Sequence, residues 1–436
     1  MTDQEIGRSE VSNLQEPTLS NLWRTLYDGK LLERLDLSRE WSYVEANPEL
    51  TLTSFIRGHC PTVPDEYIDV TSRVVRLILD GGLSNEDRTL LAFNLIPLLE
   101  HYIRDGNGRA LEPLHNLVSV GIWRHPLRRA LPIKASIELT NSCNLNCVMC
   151  GVGSGGFDPS RTMTLSLFRG IIRKLGPTVR CLRLNGLGES TVIPDFNEYL
   201  RVLVETPARL ELVTNLSFDN EELLTQLLDL NMLIFVSCDS TRKDRLIRIR
   251  RNLNYDVFLN NLKGVSDYVQ YHGRNKLDCQ IIMTLMESNF RELPDMVDFA
   301  HRYGLGGVIG NMVKDGNGAW RSRRIDEIRK TFAQAARRAE EVGVALKVPD
   351  QIEGIPLDED FVSKSNARHC PTLMEEVFIR YNGDVCPCNM MNPYIYGNLV
   401  RNGLEEVVNS INARMFYALS NTGIRHPYCV NCYYMR

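Results

Sequence analysis

The sequence predicts an α/β protein with a parallel β-sheet at the centre of the chain. Six short apolar runs between residues 134 and 313 have the composition of buried strands. Amphipathic stretches separate these runs, with apolar residues recurring every three or four positions, as in 165–176 and 255–269. This alternation of strand and helix is typical of parallel sheets with right-handed crossovers.

Four segments are expected along the 436 residues. Residues 1–18 are polar and are predicted to be disordered. Residues 19–130 have helical periodicity and are predicted to form an all-helical N-terminal domain, interpreted either as a substrate-recognition or dimerisation module or as a stabilising cap. The strands and helices of the sheet occupy 131–345, and a linker with a small cysteine-rich domain occupies 346–436.

The predicted elements of the central domain follow one another in strict alternation. The strands are predicted at 134–140, 179–186, 209–215, 232–240, 277–286 and 306–313. The helices between and after them are predicted at 165–176, 196–205, 220–230, 255–269 and 293–304. Ligands of such sheets bind at the carboxyl ends of the strands. We therefore expect the functional residues to follow the strands.

Composition limits the possible partners and location. The net charge of -4, with no basic run and no acidic tail, gives no reason to expect a nucleic-acid or membrane partner. No segment approaches the roughly 20 apolar residues that a membrane span requires. The N-terminus has no apolar signal core, so a cytoplasmic location is expected. Twelve cysteines in a reducing compartment favour metal ligation over disulfides.

A loop with three cysteines follows the first predicted strand. Cys143, Cys147 and Cys150 have three and then two residues between them, so that their thiolates can converge on one metal centre. A [4Fe-4S] cluster normally takes four cysteine ligands, and three would leave one iron open for an exchangeable ligand. The alternatives are three buried thiols or a structural zinc site. Zinc would require a fourth cysteine or histidine nearby, and residues 151–180 contain neither.

This loop, in a six-fold βα array, resembles the radical S-adenosylmethionine (radical SAM) superfamily over about residues 134–315. The resemblance implies a partial (β/α)6 barrel in which the three cysteines hold a [4Fe-4S] cluster and SAM binds the open iron. It also implies reductive cleavage of SAM to a 5'-deoxyadenosyl radical, which takes a hydrogen atom from the substrate. A reducing partner such as flavodoxin or ferredoxin would supply the electron.

The resemblance extends to a motif that follows the second strand. Residues 185–190, Asn-Gly-Leu-Gly-Glu-Ser, are similar to the Gly-Gly-Glu-Pro motif of the family, which contacts the methionine ammonium group of SAM. Gly188, Glu189 and Ser190 are the corresponding residues, with leucine and serine in place of the first glycine and the proline. An ordinary strand-to-helix turn is the alternative interpretation.

Further SAM contacts are implied by position. Arg250 matches an arginine that pairs with the SAM carboxylate, a task that suits a guanidinium fork, although the basic run around it could instead be a solvated helix start. Asn215 and Ser237 lie at strand ends where the family places ribose and carboxylate contacts. Met149, just before the third cysteine, is expected near the adenine or, alternatively, in the core.

The C-terminal cysteines resemble a reduced SPASM or twitch extension, which holds an auxiliary iron-sulfur cluster. The family pattern is an early cysteine, a hairpin with a Pro-Cys pair, a Gly-Asn pair and a terminal cysteine pair. By this register Cys370, Cys388, Cys429 and Cys432 are expected to hold a second [4Fe-4S] cluster, with Cys386 as the alternative ligand. A structural zinc site on the same thiolates and a cluster with one open iron are the other possibilities.

The sequence gives less information about the acid-base groups than about the cluster ligands. Asp239 and Glu287 are candidate general bases near the barrel mouth. Cys181, Cys238 and Cys279, on the strands outside both clusters, are interpreted as buried apolar side chains.

The main functional hypothesis is hydrogen abstraction from a small molecule of sugar, aminocyclitol or nucleoside type. The alternative is a peptide or protein maturase that crosslinks, epimerises or oxidises residues. A non-catalytic iron-sulfur redox protein is a third, weaker hypothesis. The sequence leaves the oligomeric state open.

Overall fold

The computed structural model describes part of the chain. The described residues are Asn94, 130–151, 158–273, 278–313, 319–349, 351–352, 355–357, 370–389, 394–421, Cys429 and Cys432. The predicted disordered segment and nearly all of the predicted helical domain therefore lie outside the described residues. Contacts divide the chain into two compact units, and the unit made of residues 128–409 and 428–436 contains the sheet. The predicted domain boundaries stay predictions.

The described part of the chain alternates strands and helices. The strands are β1 (Lys134–Ile137), β2 (Asn146–Cys147), β3 (Cys181–Leu184), β4 (Arg209–Thr214), β5 (Leu233–Ser237), β6 (Arg250–Arg251), β7 (Cys279–Leu285), β8 (Gly307–Met312), β9 (Ala345–Lys347), β10 (Gln351–Ile352), β11 (Ile355–Pro356), β12 (Glu376–Ile379), β13 (Asp384–Cys386) and β14 (Gly397–Asn398). The α-helices are α1 (Leu165–Leu175), α2 (Phe196–Leu203), α3 (Glu221–Asp229), α4 (Lys243–Ile249), α5 (Tyr255–Tyr271), α6 (Leu293–Arg302), α7 (Ala319–Arg323), α8 (Ile325–Val342), α9 (Pro371–Glu375), α10 (Leu404–Val408) and α11 (Ile411–Asn421). No helix in these described ranges is long and apolar enough to cross a membrane.

One ten-stranded sheet organises this unit, in the order β14-β13-β12-β1-β3-β4-β5-β7-β8-β9. From β12 to β9 every strand is parallel to its neighbours in this sheet. Strand β13 pairs antiparallel with β12 on one side and with β14 on the other. The six predicted strands are confirmed as β1, β3, β4, β5, β7 and β8. The sequence did not indicate that β9 and β12 extend the parallel sheet at its two ends.

The helices begin and end where the side chains predict. Thr164 caps α1 by accepting the N–H of Leu167 at 3.2 Å, and Asn220 caps α3 by accepting the N–H of Leu223 at 2.9 Å. Helix α8 ends at Gly343, whose φ of 69° is left-handed, a conformation that glycine adopts without steric cost.

The two faces of the sheet differ in polarity, because successive side chains of a strand point to opposite faces. On β1, Ala135 and Ile137 are fully buried apolar residues on one face. The opposite face, which we name the polar face, carries Lys134 and Ser136 on β1, Arg183 on β3 and Glu211 on β4. Lys134 Nζ donates to Glu211 Oε2 at 3.0 Å and Arg183 Nε donates to the same oxygen at 2.6 Å. These charges satisfy one another below the carboxyl ends of the strands.

Candidate active site

Backbone hydrogen bonds to residues 249–251 hold the cysteine loop, residues 143–150, in place. Its short strand β2 pairs antiparallel with β6, so that Cys147 faces Arg250 in register. The N–H of Val148 donates to the carbonyl of Ile249 at 2.9 Å. The N–H of Leu145 also donates to the sulfur of Cys143 at 3.4 Å. The loop therefore holds its thiols at one place beside the start of β6.

The three thiols of this loop influence one another electrostatically. Burial raises the pKa of Cys143 to about 11, and Glu189 and the thiols of Cys147 and Cys150 add to the shift. Burial also raises the pKa of Cys147, against the opposing charge of Arg250. Without a metal the thiols of Cys143 and Cys147 stay protonated at neutral pH, and a bound metal converts cysteine ligands to thiolates.

Ligands of a cluster are arranged differently from ligands of a single metal ion. No three His, Cys, Asp or Glu side chains in the described ranges are placed to share one metal ion. In a [4Fe-4S] cluster each cysteine binds a different iron, so its ligands need not meet at one point.

The motif loop, residues 185–190, packs directly on the cysteine loop. A Cβ at Gly188 would lie 2.4 Å from the carbonyl oxygens of both Thr140 and Ser142, so only glycine fits there. The N–H of Glu189 donates to the carbonyl of Ser142 at 2.8 Å. Gly188 thus sets the contact between the two loops on which the predicted SAM site depends.

Glu189, in the loop after β3, accepts hydrogen bonds from residues at the end of β4. Its carboxylate is buried and accepts the N–H of Asn215 at 2.7 Å, the hydroxyl of Thr214 at 3.0 Å and the hydroxyl of Thr191 at 2.9 Å. Burial raises the pKa of this carboxyl, and these hydrogen bonds oppose the shift. Among the described residues Oε2 accepts the Asn215 bond alone, so a lone pair remains for one further donor such as an ammonium group. Ser190, next in the chain, is buried at the start of a short 3-10 turn.

Asn215 joins the end of β4 to the cysteine loop. Its side-chain N–H donates to Asn144 Oδ1 at 2.9 Å, and Asn144 Nδ2 donates to the carbonyl of Ser217 at 2.8 Å. Between them Leu216 has a left-handed φ of 51°, held in place by a hydrogen bond from Asn261 Nδ2 to its carbonyl at 2.9 Å. Strained backbone at such a position is typical of functional sites. Asn144 was not predicted to be a site residue. The sequence indicated it only as an amide side chain between two of the predicted ligand cysteines.

Arg250 and Asp239 form a buried ion pair beside Cys147. Asp239 is fully buried, and its Oδ1 accepts the N–H of Thr284 at 2.7 Å. Arg250 Nε lies 2.8 Å from Asp239 Oδ2, but its N–H is not aligned with that oxygen. Burial works against the charge of Arg250, yet Asp239 and Cys147 hold its pKa above the usual value. A guanidinium fork is the type of group that binds a carboxylate bidentately, which agrees with the role predicted for Arg250.

The two candidate general bases lie in different environments. Asp239 is engaged with Arg250 and Thr284, as described above, which gives it a positioning role. Glu287 is exposed and forms an ion pair with Arg324, whose Nε lies 2.9 Å from its Oε1. The assignment of a general base to either residue stays a prediction.

The remaining predicted residues of the barrel have simpler surroundings. Ser237, at the end of β5, and Met149, in the cysteine loop, are not fully buried. Cys238 and Cys279 are fully buried, and burial raises the pKa of Cys238 to about 12. Cys181 is half-buried and has its pKa raised to about 11 by burial and by nearby Glu211.

Some of the C-terminal cysteines are close to one another in the structure. Burial raises the pKa of Cys370, just before α9, and the nearby thiol of Cys432 adds to the shift. The N–H of Cys432 donates to the carbonyl of Cys429 at 3.2 Å. Cys386 is fully buried within β13, whereas Cys388 follows that strand and is half-buried. Accessibility therefore favours Cys388 over Cys386 as the ligand, and the assignment stays a prediction.

Comparisons with known proteins agree with this geometry. The profile of the radical SAM superfamily matches residues 137–300, and the SPASM profile, an iron-sulfur cluster-binding domain, matches residues 370–433. The chain belongs to the radical SAM superfamily. It is a radical SAM enzyme with a C-terminal SPASM domain, and its cofactors are the SAM-binding [4Fe-4S] cluster, SAM and an auxiliary iron-sulfur cluster.

Three relatives of this radical SAM enzyme illustrate the range of similarity. A Pyrococcus furiosus protein, the cofactor-modifying protein of tungsten-containing aldehyde ferredoxin oxidoreductase, is 21% identical over 327 residues, which are 68% of this chain and 86% of the relative. The Bacillus subtilis protein AlbA, of antilisterial bacteriocin subtilosin biosynthesis, is 26% identical over 308 residues, which are 68% of this chain and 63% of the relative. The structure of Streptococcus suis SuiB bound to its precursor peptide SuiA superposes with a TM-score of 0.50 at 15% identity, over 77% of this chain and 75% of SuiB.

The described residues fit the cofactors of the family. Cys143, Cys147 and Cys150 would hold the first cluster, and the close contact at Gly188 keeps the motif loop beside them. When bound, the cluster and SAM supply reductive carbon-sulfur cleavage and a radical able to abstract hydrogen. Glu189 and Arg250, held by the contacts described above, would position the bound groups.

Proposed function

We propose that this radical SAM enzyme matures a peptide or protein by hydrogen abstraction from one of its residues. The observation that carries the proposal is the similarity to AlbA, which is named for the biosynthesis of a bacteriocin. SuiB, whose fold resembles that of this chain, has been solved with a precursor peptide. The reaction would be a crosslink, an epimerisation or a side-chain oxidation.

The arrangement of the sheet supports a substrate that reaches both clusters. Strand β12, at the start of the SPASM segment, pairs directly with β1, which leads into the cysteine loop. Both cysteine groups therefore flank neighbouring strands of one sheet, and the polar face of that sheet carries hydrogen-bonding side chains. A peptide, with a donor and an acceptor in every residue, is suited to such a surface.

We assign roles to the predicted site residues within this proposal. Arg250 binds the SAM carboxylate, and the motif loop binds its ammonium group through Gly188, Glu189 and Ser190. Asn215 and Ser237 contact the ribose, and Met149 packs near the adenine. The auxiliary cluster accepts or relays the electron left on the oxidised substrate. Its proposed ligands are Cys370, Cys388, Cys429 and Cys432.

A small-molecule substrate is the second candidate. The Pyrococcus furiosus relative is named for modifying a cofactor, and the present chain covers 86% of its length. A sugar, aminocyclitol or nucleoside would place its hydroxyl groups against the same polar face. The enzyme would then dehydrogenate or rearrange that molecule.

Incubation of the anaerobically reconstituted enzyme with the two substrate classes separates these candidates. Peptides encoded by short reading frames beside the gene form one panel, and aminocyclitols, sugars and nucleosides form the other. We expect 5'-deoxyadenosine formation to rise with a peptide, together with loss of two hydrogens or, for epimerisation, deuterium uptake from D2O. The variant with Cys143, Cys147 and Cys150 changed to alanine is the control. Turnover with the small-molecule panel alone would refute the peptide proposal.

A further inference from the structure

A group of exposed basic side chains lies beside the cysteine loop. Residues 242–251 contain six basic residues and one acidic residue, in a chain whose net charge is -4. Four of the six basic side chains are exposed. We name these four the basic surface: Arg242, Lys243, Arg248 and Arg251. The SAM site described above uses none of them.

Backbone hydrogen bonds place this surface next to the cluster ligands. Strand β6 pairs with β2, so that Arg251 lies opposite Asn146 in the cysteine loop. The N–H of Val148, in the same loop, donates to the carbonyl of Ile249 at the end of α4. Arg248 is the residue before Ile249. Two arginines of the basic surface therefore flank the backbone that holds the loop.

The basic surface carries more positive charge than its carboxylates balance. Arg242 and Arg248 share one carboxylate, that of Asp244, at 3.4 and 2.8 Å. The exposed lysine pairs with one exposed aspartate at 3.3 Å. Arg251 adds a further exposed positive charge. Four cations are thus matched by two carboxylates, and the excess faces solvent.

The other two basic residues of this segment serve the interior. Arg245 pairs with Glu292, which is buried, and Arg250 pairs with the buried Asp239. These two ion pairs tie α4 and β6 to the barrel. Exposed ion pairs, in contrast, contribute little to stability. Folding therefore requires the inward arginines and leaves the four exposed side chains available to a partner.

Exposed apolar side chains accompany the exposed charges. Val148, in the cysteine loop, is 49% exposed, and Ile247, on α4, is 36% exposed. Ile247 precedes Arg248 in the chain, and Val148 is bonded to the backbone that follows it. Apolar side chains within a charged surround are the usual composition of a protein interface.

The chemistry of the neighbouring loop defines the partner. SAM cleavage requires one electron at the cluster that the three cysteines would hold. Electron transfer weakens steeply with distance, so the protein that delivers the electron must dock close to this loop. Excess positive charge attracts a partner with an acidic surface and speeds its association. We propose that the basic surface docks an acidic one-electron carrier protein of the flavodoxin or ferredoxin class.

The exchange in this complex is balanced. One electron leaves the reduced carrier and enters the [4Fe-4S]2+ cluster, giving [4Fe-4S]+, and the carrier is oxidised by one electron. No residue of the basic surface gains or loses a bond, because its role is to hold the carrier beside the loop. The inference does not depend on the identity of the substrate.

The first test measures binding without turnover. Dye-labelled flavodoxin and ferredoxin, both acidic and both oxidised, are titrated with the reconstituted enzyme at low ionic strength and followed by microscale thermophoresis. The variants are Arg248→Gln, Arg251→Gln and the two together, with Arg337→Gln, an exposed arginine on α8, as the control. We expect the Kd of the better-bound carrier to rise about threefold in each single variant and about tenfold in the double variant, and to be unchanged in the control. Salt at about 0.5 M should remove the difference.

The second test separates docking from damage to the cluster site. Uncoupled 5'-deoxyadenosine formation is measured with excess dithionite and, separately, with limiting reduced carrier. We expect the same iron content and the same dithionite-driven rate in the parent and all variants. With limiting carrier the double variant should be slower by about the same factor as the rise in Kd, and saturating carrier should restore the rate.

Four results would overturn the proposal. Equal Kd values in the parent and the double variant would do so, and so would failure of the parent to bind either carrier. An equal loss of rate with dithionite and with carrier would assign the two arginines to the cluster site instead. Weaker peptide-dependent turnover of the double variant with dithionite would assign the basic surface to the substrate.

Discussion

The buried pair of Asp239 and Arg250 gives the sharpest test of how the SAM site is held. Replacing Asp239 with asparagine keeps the shape of the side chain but removes its charge. Arg250 then stays buried, 7% exposed, without its counter-ion. Breaking one partner of a buried ion pair costs about 3–5 kcal/mol. In a unit of this size that lowers the melting temperature by roughly 6–10 °C.

The effect should reach SAM through the guanidinium of Arg250. If this group binds the SAM carboxylate, misplacing it removes a charged hydrogen bond worth about 1.5–3 kcal/mol, which weakens SAM binding by roughly 10- to 100-fold. Because Arg250 also pairs with Cys147 through the backbone, the cysteine loop should loosen as well. The double variant Asp239→Asn with Arg250→Gln should regain part of the lost stability, since no buried charge is left unpaired.

Calorimetric SAM titration and thermal unfolding of the anaerobic protein measure both effects. A general-base role for Asp239 predicts the opposite pattern, with normal stability and SAM affinity but no substrate turnover. That pattern would refute the positioning role. Glu287→Gln is the control, because its exposed ion pair with Arg324 should contribute about 1 kcal/mol or less.

Three further predictions concern the metal sites. Changing Cys143, Cys147 and Cys150 to alanine should abolish SAM cleavage and leave about four irons per chain in the auxiliary site, and any remaining SAM cleavage would contradict the cluster assignment. Cys386→Ala should leave the iron content unchanged, whereas Cys388→Ala should lose about four irons; the reverse result would exchange the two assignments. Because burial raises the pKa of Cys143 to about 11, its thiol releases a proton only when iron binds. Cluster reconstitution should therefore be faster at a pH of about 8.5 than at about 7, and a rate independent of pH would argue against thiols that are protonated in the free protein.

The order of the strands and helices could be predicted from the sequence, because this order depends on local periodicity. The run from 277 to 286 alternates with amphipathic helices, and it forms β7 as predicted. The spacing of Cys143, Cys147 and Cys150 identified the loop, since a cluster constrains ligands that are close in the chain. Gly188 was also found from sequence, through the resemblance of residues 185–190 to the family motif, and the structure adds its close contact with Thr140.

Contacts between distant segments could not be read from the chain. The pairing of Cys147 with Arg250 depends on the register of β2 with β6, which no local pattern fixes. The hydrogen bond from the Asn215 side chain to Asn144 likewise joins residues 71 positions apart. The sequence of a short strand such as β12 does not indicate which strand lies beside it. An apolar run can pair with many strands, and tertiary packing decides which pairing forms.

The sequence by itself therefore determined the superfamily, the α/β alternation and the chemistry of the cysteines, all of which follow from short-range patterns. Only the tertiary structure decided which polar atoms are satisfied. In the sequence Glu189 is one acidic residue after a strand, yet in the folded chain its carboxylate accepts the hydroxyl of Thr214 and the N–H of Asn215, which is 26 positions away. Hydrogen bonding depends on the distance and angle between atoms brought together by folding, and this is why these contacts emerged only from the structure.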